Sequence, residues 1–389
     1  MRRQGIGGIT AVLVLGVMCA VLSGCGGGGG GEDGGGGGGG TSPHLMGGSV
    51  QGTSLSLVNS VSTFAGALSP GSQNGAGTTA RFRTPIGITT DGTNLYVADS
   101  FNHTIRVAVI STGTVSILAG SAGSPGFTDA TGSAARFNQP QGITISTDGT
   151  KLYVADTNNN VIRQVVIATG AVTTVAGDLN GTPGLTDGNG PAARFSSPAG
   201  ITADGIYLYV ADTYNHAIRR ILILSGYVET IAGDYPNGSS GFQDANGTSA
   251  RFNVPQGITT DNTYLFVTEA FNYRIRKINK SLPYGVSTLA GSGTQGANDG
   301  TGASAEFGNP YGITSDGTNL YVADVDSNTI RKVTSGGVVT TVAGDASAGA
   351  GYNDATGTSA RFNSPNDVTT DGTNLYVSDS LNNMIRTIR

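Results

Sequence analysis

Residues 80–106 read ARFRTPIGITTDGTNLYVADSFNHTIR, and this stretch decides the fold because close copies of it recur along the chain. Its first phenylalanine returns every 55–58 residues. The six positions are Phe82, Phe137, Phe195, Phe252, Phe307 and Phe362. A period of this size indicates a propeller or a solenoid that is built from one repeated unit.

Each copy reads as four short strands, which is the content of one propeller blade. In the first copy, β-branched residues cluster at 86–90, 95–98, 104–110 and 115–119, and turn residues separate these clusters. The sixth copy stops after its third strand, but residues 61–66 (VSTFAG) match the fourth strands of the other copies. The sequence therefore predicts an all-β fold, a six-bladed β-propeller of four-stranded antiparallel blades, with strand 61–66 completing the last blade.

The motifs ARFNxPxGI, LYVADxxNHxIR and VxTxAG resemble those of the NHL-repeat family of six-bladed β-propellers. The resemblance runs through the whole repeat region and implies a closed ring. Four positions depart from the repeat pattern, and these are Glu269, Glu306, Ser327 and Asp367. We expect each departure to change only local details of blades four to six.

The first 24 residues differ from the rest and predict a lipoprotein signal peptide at 1–24. Two arginines precede an apolar stretch at 6–22, which is short for a membrane span. The sequence LSGC at 22–25 resembles the lipobox of bacterial lipoproteins, which implies lipid attachment at Cys25. The alternative is an ordinary signal peptide in which Cys25 is incidental. Cys19, the other cysteine of the chain, falls in the segment to be removed, so no disulfide is expected.

Lipid on Cys25 predicts a membrane anchor and a place in the bacterial cell envelope. Gly26 follows the cysteine instead of Asp, which favours the outer membrane over the inner membrane. Residues 25–57 begin with a glycine run and predict a flexible linker, with a typical reach of about 30 Å. The propeller domain is predicted at 58–389.

The charge of the chain disfavours nucleic acid as a partner. Without Arg2 and Arg3, 19 basic residues remain against 26 acidic ones, a net charge of −7. Binding to phosphates needs clustered Lys and Arg, and the sequence shows no basic cluster.

Acidic residues at the ends of the second strands are followed seven residues later by arginines. We expect each such pair to tie its hairpin together, because a carboxylate and the guanidinium fork match in geometry. The pairs are Asp99 and Arg106, Asp156 and Arg163, Asp212 and Arg219, Glu269 and Arg276, Asp324 and Arg331, and Asp379 and Arg386. A catalytic role is disfavoured because all six copies share the pattern.

A second set of polar residues precedes each Arg-Phe or Glu-Phe dipeptide by seven positions. The set is Asn74, Asp129, Asp187, Asp244, Asp299 and Asp354. We expect these side chains to stabilise loops, with calcium binding as the alternative. His103 and His216 fall on non-adjacent blades, so we expect no metal site and no cofactor.

The number of strands per blade locates a binding face, since the long loops before the first strands and the turns after the second strands must lie on the same side. Within these turns one position varies while its neighbours do not. The variable residues are Phe101, Asn158, Tyr214, Phe271, Asp326 and Leu381. Exposed aromatic residues on a rigid ring are good contact anchors.

We therefore expect a lipid-anchored binding or scaffold module with a protein or glycan ligand, and not an enzyme. Two alternatives remain. One is a propeller enzyme, a metal-dependent lactonase or lyase, which predicts irregular first strands. The first strands instead read Gly-Ile-Thr in five of six copies. The other alternative is a structural surface-coat protein.

Overall fold

The computed structural model describes residues 44–46, 49–52 and 54–389. Residues 42–389 form one compact unit. The predicted signal peptide 1–24, Cys25 and the first part of the predicted linker 25–57 lie outside the described residues. Within the described part of the chain, no helix has the length and hydropathy that a membrane span requires.

The described chain folds into six antiparallel sheets of four main strands, as predicted. The first, innermost strands are Pro85–Thr90, Ile143–Ile145, Pro198–Ala203, Pro255–Thr260, Pro310–Ser315 and Pro365–Thr370. The second strands are Asn94–Asp99, Lys151–Asp156, Tyr207–Asp212, Tyr264–Glu269, Asn319–Asp324 and Leu375–Asp379. The third strands are Thr104–Val109, Val161–Val166, Ala217–Leu222, Arg274–Asn279, Thr329–Thr334 and Met384–Ile388. The fourth strands are Thr114–Gly120, Ala171–Ala176, Tyr227–Ala232, Val286–Ala290, Val338–Ala343 and Val61–Gly66.

The blades also contain shorter strands and 3-10 turns. Two-residue strands at Gly75–Ala76, Gly188–Asn189 and Gly300–Thr301 extend blades one, three and five at the outer edge. Single 3-10 turns follow four of the second strands, at Ser100–Asn102, Thr157–Asn159, Thr213–Asn215 and Ser380–Asn382. Others lie in the long loops, at Gly77–Thr79, Gly132–Ala134, Gly190–Ala192, Gly247–Ser249, Gly302–Ser304, Ala346–Ala348 and Gly357–Ser359.

The sheets form a closed ring. The first strands of neighbouring blades contact one another in sequence, and Pro365–Thr370 of blade six contacts Pro85–Thr90 of blade one. Val61–Gly66 pairs antiparallel with Met384–Ile388 and completes blade six. The prediction that an N-terminal strand closes the last blade is confirmed, so both ends of the repeat region share one sheet.

The hydrophobic core consists of six clusters, and each lies between two neighbouring blades. In one of them Tyr96 and Ala98 of blade one pack with Phe137 and Val154 of blade two. Because each sheet is covered on both faces, the second strands read as continuous apolar runs rather than alternating ones. Each repeat phenylalanine is fully buried, and burial of such a side chain contributes about 1.5–3 kcal/mol.

Two faces of the ring are distinguished by their connections. The loop face carries the long loops that end at the first strands and the turns that follow the second strands. The base face carries the turns after the first and third strands. This arrangement follows from the antiparallel order of the strands within each blade.

The N-terminal part of the described chain crosses the base face. Strands His44–Met46 and Ser49–Gln51 form a hairpin, and Ser49–Gln51 lies against the innermost strands of blades one, five and six. The Gly52 amide donates to the Asp316 carbonyl (3.3 Å), and the Leu55 amide donates to the Asp316 carboxylate (3.0 Å). Leu55 itself is buried in a core cluster. The last part of the range predicted as linker therefore packs on the propeller.

Candidate binding face and central channel

A buried arginine joins each long loop to its own blade. In blade three, Arg219 donates from Nη1 to the Asp212 carboxylate (2.7 Å) and to the Arg194 carbonyl (2.8 Å). Its Nη2 donates to the Asp187 carboxylate (2.8 Å) and to the Thr186 carbonyl (2.9 Å). The guanidinium thus binds both the hairpin and the long loop. The sequence predicted only the pairing within the hairpin.

The same ion pair recurs in every blade with both side chains fully buried. The N–O distances are 2.8 Å for Arg106 and Asp99, 2.8 Å for Arg163 and Asp156, 2.7 Å for Arg219 and Asp212, 2.7 Å for Arg276 and Glu269, 3.3 Å for Arg331 and Asp324, and 2.8 Å for Arg386 and Asp379. Burial raises the pKa of Asp99 to about 6, while the Arg106 guanidinium opposes the shift. The six buried pairs are therefore part of the scaffold that each repeat shares.

The acidic residues of the long loops have arginine partners. Asp129 accepts from Arg163 Nη2 (2.6 Å) and from the Thr174 amide of the fourth strand (2.9 Å). Equivalent arginine contacts are made by Asn74, Asp187, Asp244, Asp299 and Asp354. A guanidinium thus lies within hydrogen-bond distance of each of these six side chains. Across the described ranges, no three His, Cys, Asp or Glu side chains are grouped closely enough to hold a metal ion.

The two histidines link neighbouring blades. His103 and His216 follow their turns in the left-handed conformation, and their Nδ1 atoms accept from the amides of Gln139 and Val254 in the next blade (both 3.1 Å). Asparagine makes the same link elsewhere, at Asn160, Asn328 and Asn383. Burial lowers the pKa of both histidines, which favours the neutral ring that can accept these bonds.

The six variable turn residues lie on the loop face with exposed side chains. Tyr214, Phe271, Leu381 and Phe101 are 64%, 59%, 55% and 40% exposed, and Asn158 and Asp326 are exposed as well. The turns are held in place by the neighbouring loops: the amides of Phe101 and Tyr214, for example, donate to the carbonyls of Arg83 and Ser196 (3.2 and 3.1 Å). The turns of the loop face therefore present three large, exposed aromatic side chains.

A central channel runs between the six innermost strands. Residues of all six strands line it, and it is partly open to solvent. Five of the six strands contribute a glycine at the same level, namely Gly87, Gly142, Gly200, Gly257 and Gly312. A Cβ on Gly87 would overlap the Gln141 carbonyl oxygen of the next blade, and the same clash arises at Gly142, Gly200 and Gly257. Glycine is required here because adjacent strands approach so closely.

Blade six differs at this level, because Asp367 stands where the other blades have glycine. Its Oδ2 accepts from the Ile88 amide of blade one (3.0 Å), and its Oδ1 accepts from the Val368 amide (2.9 Å). Its own strand is adjusted to fit, since Asp367 pairs with Ser378. Burial raises the pKa of Asp367 to about 7, although the two amide contacts oppose the shift. The sequence predicted only a local departure at this position. Among the described residues that line the channel, Asp367 is the one with a carboxylate.

The residues just before the glycine level also differ around the ring. They are Ile86, Gln141, Ala199, Gln256, Tyr311 and Asn366, and all line the channel. Burial raises the pKa of Tyr311, and the loop-face residues Asp326 and Tyr214 are close enough to add to the shift. Two of the variable turn residues thus lie beside the channel mouth. The sequence carries a signal for these residues, because the position between Pro and Gly varies from repeat to repeat, but no role was predicted for them.

Replacing Asp367 by Asn is expected to change how stability depends on pH. A carboxyl whose pKa is raised by folding stabilises the native state at low pH and loses that contribution as pH rises through its native pKa. Relative to Asp367→Asn, the wild type should therefore lose on the order of 1–3 kcal/mol of unfolding free energy between pH 4.5 and pH 8.5. Urea unfolding at several pH values measures this difference, and two parallel pH profiles would contradict it.

Comparisons with known proteins agree with this architecture. No protein-family model matches the sequence. The chain is 29% identical to SUPPRESSOR OF QUENCHING 1 of Arabidopsis thaliana over 321 residues, which cover 65% of this chain and 30% of that protein. It is 39% identical to human NHL repeat-containing protein 2 over 101 residues, 25% of this chain and 14% of that protein. The chain thus spans less than a third of each of these relatives.

Solved structures share the fold at low sequence identity. An auxiliary nutrient binding protein from Bacteroides ovatus superposes with a TM-score of 0.63 at 17% identity, over 85% of this chain and 76% of that one. A streptogramin B lyase shares the fold with a TM-score of 0.50 at 16% identity, over 85% of this chain and 97% of that one. A putative phosphatase from Bacteroides thetaiotaomicron does so with a TM-score of 0.57 at 15% identity, over 85% of this chain and 78% of that one. This likeness concerns the fold alone and is common to binding proteins and enzymes. The sequence matches and the six-bladed ring together confirm the resemblance to NHL-repeat propellers.

Proposed function

We propose that this six-bladed β-propeller of NHL-type repeats is a lipid-anchored binding module of the bacterial cell envelope, in which the loop face captures a protein or glycan. The observation that carries the proposal is the set of exposed side chains on the loop-face turns. The side chains of Phe101, Tyr214, Phe271 and Leu381 are exposed. The amides of the first, second and fourth of these residues donate to carbonyls of the long loops. Ordered aromatic side chains lose little conformational entropy on binding and contribute large contact areas.

The position of the N-terminal hairpin supports an outward-facing loop face. The chain that leads back to Cys25 joins the ring at the base face, where Ser49–Gln51 lies against the innermost strands. A lipid on Cys25 would then hold the base face towards the membrane and leave the loop face free. We place the anchor in the outer membrane because Gly26 follows the cysteine.

The lipid anchor is tested by metabolic labelling. Cells that express the full chain should incorporate labelled palmitate into the wild type, and Cys25→Ser should abolish the label because the acceptor thiol is lost. Cys19→Ser is the matched control and should still be labelled, since Cys19 precedes the expected cleavage site. Equal labelling of Cys25→Ser and wild type would refute the anchor.

The binding face is tested by removing exposed side chains from one face at a time. A variant with Phe101, Tyr214, Phe271 and Leu381 all changed to Ser should lose a stoichiometric partner that wild type retains in pull-downs from solubilised envelopes, by at least tenfold. The matched control changes Leu224 and Leu282 to Ser. These two residues lie on the base face and are 94% and 79% exposed. Equal capture by both variants would contradict the assignment.

Two other functions predict different outcomes in further experiments. A surface-coat protein predicts self-association of the purified chain, which analytical ultracentrifugation measures directly. A metal-dependent lactonase or lyase predicts heat on titration with calcium or zinc, together with a rise in the melting temperature. The binding module predicts a monomer with one stoichiometric partner and no metal-dependent stabilisation.

A further inference from the structure

We propose that the central channel is a binding site for a small organic cation, a ligand with a protonated amine, which enters from the loop face and pairs with the Asp367 carboxylate. This site differs from the macromolecular face described above in place and in ligand chemistry. It does not depend on the lipid anchor, and its charged group, Asp367, is not one of the exposed turn residues.

The charge of the channel lining favours a cation as the ligand. Among the described residues that line it, Asp367 and Tyr311 are the ionisable ones, and none is Lys, Arg or His. The carboxylate therefore has two amide donors but no cationic partner. A half-buried carboxylate without a counter-charge is costly to ionise, and a cation that arrives from solvent offsets this cost.

The main chain of the channel wall supplies hydrogen-bond acceptors for an ammonium group. The Ile88 amide points into the channel, since it donates to Asp367. In an antiparallel strand the N–H and C=O of one residue point to the same side, so the Ile88 carbonyl faces the channel as well. The corresponding residues of the other strands pair in the same register, at Ile143, Ile201, Ile258, Ile313 and Val368. An ammonium group has three donors, and the carboxylate and two wall carbonyls match them.

The residues at the entrance of the channel differ from blade to blade and suit a polar organic cation. Gln141, Gln256 and Asn366 place amide groups above the glycine level, and Tyr311 adds an aromatic ring. Tyr214 and Asp326 lie near the Tyr311 hydroxyl at the mouth. Aromatic rings attract organic cations, and amides bind the polar remainder of such a ligand. The other end of the channel is approached by the Ser49–Gln51 strand, so the loop face is the side of entry.

The surroundings of Asp367 leave its carboxyl as the group that controls binding near neutral pH. The inner strand Pro85–Thr90 has no ionisable side chain, and Pro310–Ser315 has Tyr311 alone. In the second strand of blade six, Tyr376 donates to Asp371, and Asp379 pairs with Arg386. The hairpin strand Ser49–Gln51 has no ionisable residue. Burial raises the pKa of Asp367 to about 7, so the ionised form becomes the main form only above that pH.

The test compares ethanolamine with ethylene glycol, which replaces the ammonium group by a hydroxyl at nearly the same size. Isothermal titration calorimetry on the full chain in detergent should show ethanolamine binding that is about tenfold tighter at pH 8 than at pH 6, with proton release at pH 6.5. Ethylene glycol should not bind at the same concentrations. Asp367→Asn should weaken ethanolamine binding at least tenfold at pH 8 and remove its pH dependence.

The matched control is Asp261→Asn, which removes one negative charge from a base-face turn while keeping the acceptor for the Thr263 and Tyr264 amides. It should bind ethanolamine like the wild type. If Asp367→Asn fails to fold, the wild-type pH dependence and proton release still decide the matter. The proposal is overturned if ethanolamine does not bind at millimolar concentration, if ethylene glycol binds equally well, or if affinity does not change between pH 6 and pH 8.

Discussion

A chain that begins at residue 68 should lose its single cooperative unfolding transition, because blade six is then left with three strands. The missing strand Val61–Gly66 contributes the ladder to Met384–Ile388 and the buried side chains of Val61 and Ala65. Residue 60 also exchanges main-chain hydrogen bonds with Arg389 (3.2 and 3.0 Å). Without this strand, the third strand of blade six becomes an open edge that invites aggregation.

The expected loss is large because closure couples the two ends of the ring. In an open array each unit is stabilised only by its neighbours, whereas a closed ring unfolds as one unit. The lost pairing and burial are comparable with the roughly 5–15 kcal/mol by which a domain is stable. Differential scanning calorimetry and size-exclusion chromatography should show a broad, low transition and aggregates.

A chain that begins at residue 58 is the control for this truncation. It keeps Val61–Gly66 and loses the hairpin and Leu55, whose burial contributes about 1.5–3 kcal/mol. We expect one cooperative transition at a somewhat lower melting temperature. If the chain from residue 68 unfolds like the chain from residue 58, closure by this strand is not what holds the ring.

Arg219→Met should destabilise the protein by about 3–5 kcal/mol, the usual cost of leaving a buried charge without its partner. Arg219 is fully buried, and its loss leaves the Asp212 carboxylate uncompensated in the core. The Asp187 carboxylate and two loop carbonyls also lose a donor. Because these groups belong to the long loop, we expect faster hydrogen exchange at 186–194 as well.

The neighbouring residue provides the matched control. Arg220 lies on the same strand but points towards the surface, where it pairs with Glu229 and covers the Tyr207 ring. A partly exposed ion pair contributes about 0–1 kcal/mol, so Arg220→Met should cost far less than Arg219→Met in urea unfolding. Similar losses for the two variants would show that Arg219 contributes packing only.

The features of the fold that could be predicted from the sequence are those that the repeat itself encodes. The 55–58 residue period, the strand-like clusters and the match of 61–66 to the other fourth strands sufficed to predict six blades and their closure. The acid and the arginine of each hairpin are only seven residues apart and lie on two strands that pair directly, so their contact could be predicted. The second arginine partner was not predicted, since Asp187 is 32 residues away from Arg219 and the path of the long loop brings them together.

The sequence by itself determined the number of blades, the residues that close the ring and the face on which the variable turns lie. Only the tertiary structure decided which variable residues lie together at the central channel and that Asp367 lies at the level of five glycines. It also decided that the N-terminal hairpin packs on the base face. The physical reason is that a repeat fixes hydrogen bonding within each blade through local pattern. Contacts around the central axis join residues more than fifty positions apart, and their spacing depends on how closely the six inner strands approach.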